Sequence, residues 1–362
     1  MRISSPVVLF LVSILLSIIG ISSIYSATYF KKNDLWLMQL IWLFFGIGTF
    51  WIMNFFSYRY LWEISYLLYA LCVSLLLGVS IFGIIRLGAQ RWINIFGFNF
   101  QPTELAKLVL VIILARYFSK KSPVQVALLN KNLGIFKALI FPSILVSVPV
   151  GLILEQPDLG SGLILIFIFV GMLYFADIKL KYIFLFIGLG ILSLPVSWNF
   201  LKEYQKDRLL VFLNPNLDPL GLGYTLIQSK ISIGSGRFFG KGWLGGTQSQ
   251  LLFLPEAHTD FIFATFAEER GFIGCLGLIF LYSLLIKEIL VISYKANDEF
   301  AKILSLGIAF SLAIQIFINI SMTMGFLPVV GVPLPFLSYG GSSLIINFLS
   351  LGIVANIARK SK

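Results

Sequence analysis

Ten stretches of this 362-residue chain are apolar for close to the length that crosses a lipid bilayer: 7–26, 35–56, 64–85, 104–118, 135–154, 159–176, 181–198, 260–292, 301–324 and 338–358. A hydrocarbon core about 30 Å thick is spanned by roughly 20 residues of helix. Backbone polar groups in lipid must be satisfied within the chain, so runs of this kind fold as helices. The sequence predicts an all-α polytopic membrane protein, a single transmembrane domain over 1–362. The fourth run is short, and the eighth is long enough to tilt or project. Composition agrees: 58% of residues are hydrophobic and 12% charged, about half the charge a soluble domain carries. The net charge of +11 does not point to nucleic acid, because the basic residues sit at the ends of the apolar runs. Cys72 and Cys275 lie inside apolar runs and read as small core residues. A single histidine, His258, excludes a multi-histidine metal centre. The first run lacks a cleavage site and is expected to stay as the first helix.

With the N-terminus inside, fifteen Lys and Arg fall in inside segments and four (Lys31, Lys32, Arg86, Arg91) in short outside loops. Positive charge in short loops stays cytoplasmic, so both termini are expected inside. Three segments then share the outer side: 86–103, a long loop at 199–259 between the seventh and eighth helices, and the proline-bearing 325–337. Long loops are uncommon without a job, so any chemistry is expected on that side. Within the long loop, 209–213 and 224–233 are apolar enough to lie in the interface.

Carboxylates near or within apolar runs are the informative ones, because an ionised group at membrane depth is costly. They are Glu104, Asp158, Asp260, Glu268 and Glu269. Asp260 opens the eighth helix, with Glu268 about two turns deeper on a similar face. Glu268 and Glu269 could equally pair with basic residues in the bundle. Glu104 and Lys107, three residues apart, share a helix face. They read either as a buried ion pair fixing helix orientation or as a pair tuning a neighbouring acid. Gly234-Ser235-Gly236-Arg237 and Gly240-Lys241-Gly242 form a glycine-rich cationic stretch. It could cradle a pyrophosphate or simply turn the chain. His258 beside Asp260 is either a structural hydrogen-bonder or part of a dyad. The 328–342 stretch reads as a rigid re-entry segment.

Several longer motifs carry a resemblance. They are Gln101-Pro102-Thr103-Glu104-Leu105-Ala106-Lys107, Gln156-Pro157-Asp158-Leu159-Gly160, Leu254-Pro255-Glu256-Ala257-His258-Thr259-Asp260-Phe261 with Glu268-Glu269, Gln228-Ser229-Lys230-Ile231 through Gly242-Trp243-Leu244, and Pro333-Leu334-Pro335-Phe336-Leu337-Ser338-Tyr339-Gly340-Gly341-Ser342-Ser343. In this order, over nearly the whole chain, the sequence resembles the SEDS family (shape, elongation, division and sporulation). Pro328-Val329-Val330-Gly331-Val332-Pro333 is similar to its elongation branch. Arg237, where the family tends to have glycine, and Arg270, where an apolar residue is usual, depart from the pattern.

The resemblance implies a peptidoglycan glycosyltransferase of the bacterial inner membrane that polymerises lipid II at the periplasmic face. Its partners would be a class B penicillin-binding protein transpeptidase, other elongation-complex membrane proteins and membrane lipids. It allows a divalent cation, Mg or Mn, although the sequence shows no ligand set that compels one. Asp260 is expected to be the general base, with Glu104 and Lys107 supporting it. Arg91, Lys107, Lys230, Arg237 and Lys241 are candidates to offset the departing pyrophosphate, and Trp92 and Ser338 to bind substrate. The competing classes are a lipid II flippase or other transporter, and a non-catalytic scaffold. Clustering of the candidate groups near one face favours interfacial chemistry over transport, which places such groups near the midplane.

Overall fold

The computed structural model describes residues 4–31, 34–86, 89–95, 98–119, 134–200, 202–218 and 221–361. Arg2, Lys32, Lys120, Lys121, Lys131 and Lys362, used above for orientation, lie outside the described residues, as do the side chains of Arg86 and Lys137. Thirteen α-helices occur among the described residues. They are α1 (Ser5–Thr28), α2 (Leu35–Ile52), α3 (Tyr58–Phe82), α4 (Pro102–Ser119), α5 (Gly134–Glu155), α6 (Leu159–Phe175), α7 (Leu180–Ser197), α8 (Glu203–Leu213), α9 (Leu222–Ser235), α10 (Thr247–Gln250), α11 (Ile262–Tyr294), α12 (Glu299–Met324) and α13 (Gly341–Lys360). The ten expected spans correspond to α1 to α7 and α11 to α13. Six of them (α1, α2, α3, α11, α12 and α13) are long and apolar enough to cross a membrane, and α5 to α7 carry shorter apolar segments.

The bundle is arranged around α4. Almost every α4 residue from Pro102 to Ala115 is buried, including Glu104 and Lys107. It packs against α3, α5, α6, α12 and α13. A helix apolar on all sides belongs in a core, which is why this short run needs no lipid-facing surface. Pro102 at its first position costs no hydrogen bond there. Outer helices show the reverse: Phe44, Leu67 and Leu192 are 75%, 69% and 75% exposed, as expected of side chains whose solvent is lipid.

Two features of the loops depart from simple connection. Between α3 and α4 three short strands form a small antiparallel sheet, β1 (Ile84–Arg86), β2 (Ala89–Ile95) and β3 (Phe98–Phe100), with Trp92 opposite Ile84 and Ile93 opposite Phe100. The periodicity of helical spans carries no signal for it, because its strands are short and lie between spans. The 199–259 segment is largely helical rather than open loop. Residues 209–213 end α8, and 224–233 lie within α9, which packs on α11 and α12.

α11 is broken at Gly271, where φ is 64° and ψ is −164°. The residues after α9 repair the break. Lys241 and Gly242 donate their N–H groups to the carbonyls of Glu268 and Glu269, both at 3.0 Å. Phe272 and Ile273 donate in turn to the carbonyls of Arg237 and Phe238, at 2.9 and 3.2 Å. Buried backbone groups left open by the kink are thus paired by a strap of loop. The crossing admits no side chain: a Cβ on Gly240 would lie 2.1 Å from the carbonyl oxygen of Glu269, and one on Gly271 would lie 2.2 Å from the nitrogen of Gly240.

Candidate active site

The three segments assigned to one side converge on a cavity of about 680 Å³. Arg91, Trp92, Phe98 and Asn99 line it from the sheet, Arg208 from α8, and Glu256, His258, Thr259 and Asp260 from the turn before α11. Gly331, Pro333 and Tyr339 come from the re-entrant 325–340 segment, and Met38 and Trp42 from α2. The lining thus combines aromatic and charged side chains, a combination suited to a ligand with both sugar and phosphate parts.

Asp260 lies two residues before α11, in the turn that the sequence predicts as the start of that helix. Its carboxyl is raised to about 6, chiefly by burial and then by the nearby Glu256, with Arg91 and Arg208 pulling the other way. The backbone carrying it is clamped. Tyr339 N–H donates to the carbonyl of His258 at 2.9 Å. Ser338 Oγ donates to the carbonyl of Thr259 at 2.7 Å, and Asn319 Nδ2 to that of Asp260 at 2.9 Å. Three consecutive carbonyls each have their own donor. Gly331, at φ 72°, faces the carboxylate, and a Cβ there would lie 3.4 Å from Asp260 Oδ2 and 3.9 Å from an Arg91 nitrogen. Glu256 itself sits at φ 49°, a left-handed conformation that costs a non-glycine residue on the order of 1 kcal/mol.

Arg91 is held from behind. Its guanidinium donates to the carbonyl of Pro157 and lies 3.7 Å from the carboxylate of Asp158. Asp158 in turn caps α6, accepting from Ser161 N at 3.2 Å and Ser161 Oγ at 2.8 Å. The Gln156-Pro157-Asp158 motif therefore fixes an arginine at the cavity wall. Arg208, one of six basic residues in 199–259, donates to the carbonyl of Val329 at 3.1 Å and lines the same cavity. Only its place at the edge of the apolar 209–213 stretch could have singled it out.

Other sequence candidates lie elsewhere. Glu104 and Lys107 form a fully buried ion pair at 2.8 Å, and Lys107 Nζ donates to Gln315 Oε1 at 2.5 Å. They border a separate void of about 20 Å³ inside the bundle, and neither lines the large cavity. The ion-pair reading fits this position. Lys241 pairs with Glu268 at 2.6 Å, and Glu268 also accepts from Thr247 N at 2.8 Å and Gln248 N at 3.2 Å. Glu269 accepts from the hydroxyl of Ser26. Both glutamates are thus bound to neighbours, and Lys241 is committed to the strap rather than to the cavity wall. Lys230 is exposed on α9 with its side chain across Gly325, the left-handed cap of α12. Arg237 is exposed at φ 51° in the strap. Ser338 is a staple: besides its bond to Thr259 it accepts from Leu334 N at 2.8 Å. His258 packs its ring on Tyr339, 5.9 Å between centroids. Cys72 and Cys275 are buried free thiols.

The residues do not make a closed metal site. Among the described residues no three His, Cys, Asp or Glu side chains converge. Glu256 and Asp260 are the two carboxylates on the cavity wall.

A family model of cell cycle proteins, FtsW/RodA/SpoVE, matches residues 3–362. The chain is 44% identical over 292 residues to the peptidoglycan glycosyltransferase MrdB of Escherichia coli K12, covering 80% of this chain and 76% of that protein. Its structure superposes on a chain from a peptidoglycan synthase complex that coordinates polymerization and crosslinking, with TM-score 0.81, 31% identity, and 98% and 97% of the two chains covered. It also superposes on a mutant of the rod shape determining protein RodA of Thermus thermophilus, with TM-score 0.72, 28% identity, and 97% and 96% covered.

Proposed function

This chain belongs to the FtsW/RodA/SpoVE family and is a peptidoglycan glycosyltransferase, a multi-pass membrane protein, and from that premise we propose that it polymerises lipid II in the 680 Å³ cavity with Asp260 as general base. The observation that carries this reading is the placement of one clamped carboxylate between two arginines on the wall of the largest cavity described. The acceptor sugar's 4-hydroxyl gives its proton to Asp260 as its oxygen attacks the donor's anomeric carbon. The bond from that carbon to the pyrophosphate oxygen breaks, and undecaprenyl pyrophosphate leaves. A pyrophosphate is a weak base and needs no proton donor, so one carboxylate suffices where glycoside hydrolysis uses two. Base catalysis of this kind contributes about 10²- to 10⁴-fold.

Arg91 and Arg208 are the groups we assign to the charge that develops on the leaving pyrophosphate, in place of Lys230, Arg237 and Lys241. Fixed cations at the wall stabilise that charge without reorganising. Arg91 is preorganised by Asp158 and Pro157. Trp92, Trp42 and Tyr339 offer aromatic faces to sugar rings in the same cavity. Both termini face the cytoplasm and the cavity faces the periplasm in this reading, on the strength of the basic-residue asymmetry. The relatives' rod-shape names support a role in elongation, and the synthase complex supports pairing with a penicillin-binding protein transpeptidase.

The test is Asp260→Asn in purified protein supplied with lipid II in detergent. Glycan polymer forms with the parent chain and is lost with the variant. Polymer at the parent's level with Asp260→Asn would remove the base from Asp260. A flippase or scaffold would leave lipid II unchanged in both.

A further inference from the structure

We infer that Asn319 is a positioning residue for the polymerisation reaction, setting the reach of Asp260 into the cavity from a membrane helix that does not itself line it. The inference rests on the assignment of Asp260 as base. Asn319 lies in α12 and is fully buried. Its Nδ2 donates to the carbonyl of Asp260 at 2.9 Å and to that of Val332 at 2.7 Å. Two carbonyl acceptors at one terminal atom fix the amide's orientation, since only the nitrogen can donate twice. Val332 follows Gly331, the residue facing the Asp260 carboxylate. One side chain therefore holds together the turn carrying the base and the segment facing it.

The other two donors of the carbonyl clamp, Ser338 and Tyr339, come from the re-entrant segment itself. Asn319 ties that assembly to α12, while Tyr282 of α11 holds it through the carbonyl of Pro335 at 2.6 Å and Gln39 of α2 through Ser338 O and Gly340 N, both at 3.2 Å. One turn earlier on the same helix, Gln315 accepts from Lys107 at 2.5 Å and donates to Ser311 O at 2.9 Å. Residues i and i+4 share a helix face, so Gln315 and Asn319 present one polar stripe. Its inner end is pinned by the Glu104–Lys107 pair and its outer end holds the base. The axial and rotational setting of α12 is thereby passed to Asp260. This gives Glu104 and Lys107 a structural route to the site without a contact to it.

The charged and titratable groups around Asp260 are Glu256 and His258 from its own turn, Arg91 from the sheet, Arg208 from α8 and Asp158 from the start of α6. Releasing the Asp260 carbonyl changes the distances to all of them. In Asn319→Ala, kcat for polymerisation should fall by roughly 10- to 100-fold, the range that about an ångström of misplacement costs. KM for lipid II should stay within about twofold, because substrate contacts are untouched. The midpoint of the acid limb of the rate profile should move away from the parent's. Asn319→Ser, which keeps a single donor, should fall between the two in kcat. Rates are normalised to the folded fraction, measured by size exclusion and thermal unfolding in detergent.

Asn319→Ala with the parent's kcat and acid limb overturns the inference. So does a loss of activity that tracks the folded fraction while the acid limb stays put, or failure of both variants to fold, since each would assign Asn319 to the fold alone. Asp260→Asn run alongside separates the two readings. If it polymerises normally, the base assignment fails; if it is inactive while Asn319→Ala behaves as the parent, only the positioning role fails.

Discussion

Lys241 Nζ lies 2.6 Å from Glu268 Oε1, joining the outer strap to the helix it repairs, and the glutamate is fully buried while the lysine side chain is 27% exposed. The same carboxylate accepts from the backbone N–H groups of Thr247 and Gln248. The two partners are therefore unequal. Lys241→Ala leaves Glu268 four donors, the N–H groups of Thr247 and Gln248 and the hydroxyls of Thr247 and Ser235, and should cost about 1–3 kcal/mol, the worth of one charge-assisted hydrogen bond. Glu268→Ala leaves the buried N–H groups of Thr247 and Gln248 without an acceptor and should cost about 2–6 kcal/mol, about 1–3 for each. Thermal unfolding in detergent, with limited proteolysis of 236–252, reads the order. Equal losses from the two variants would contradict the arrangement.

The rate of polymerisation should rise with pH through the titration of Asp260. A base works when deprotonated, and this carboxyl is raised to about 6. Activity should be half-maximal near pH 6 and close to full at pH 7.5. Glu256→Gln removes a like charge that raises the carboxyl, so its acid limb should move to lower pH. Arg208→Gln removes a charge that lowers it, and the limb should move to higher pH. Lipid II polymerisation across pH 5–8 gives all three midpoints, and shifts in one common direction would refute the assignment.

Gly271→Ala should be severely destabilising, by at least about 2 kcal/mol, from a positive φ together with backbone contact. Its Cβ would sit 2.2 Å from the Gly240 nitrogen. Gly277→Ala on the same helix meets nothing within 4 Å and should stabilise by about 0.5–1 kcal/mol. Paired unfolding curves test the contrast directly.

Lys107→Met should destabilise by about 3–5 kcal/mol, because Glu104 is left charged in the bundle's centre. Glu104→Gln combined with Lys107→Met should recover most of that loss. Asp260 does not border the pair's void, so the pair reaches the base only through Gln315 and Asn319 of α12, and the double variant, which removes the Lys107–Gln315 bond, should move the acid limb in the same sense as Asn319→Ala. An unmoved limb would mean that the polar stripe on α12 does not set the base.

The helices were legible because lipid imposes a length and a composition that soluble folds do not. The ten runs, the burial of Glu104 with Lys107, and the convergence of three loops on one end all follow from that constraint. The identity of the cavity residues followed from motifs, and it divides sharply. Arg91, Trp92 and Asp260 meet at the cavity, whereas Lys230, Arg237 and Lys241 lie elsewhere. Glycines with basic neighbours look alike whether they cradle an anion or cross a helix closely, and at Gly240 the second use won. Arg208 and Asn319 were invisible for a different reason. Their roles come from tertiary contact with segments more than 50 residues away, which local spacing cannot encode.

The strap across Gly271 has a consequence for biogenesis. Four main-chain groups of α11 find their partners only in residues that precede it in the chain. Those residues leave the ribosome first and cannot complete their own bonding until the later helix has followed them into the bilayer. Extraction of the loop would strand the helix's amides and carbonyls in a solvent that offers none in return. The segment between α9 and α11 and the outer third of α11 should accordingly insert and unravel as one cooperative unit, with the loop as much a part of the membrane span as the helix.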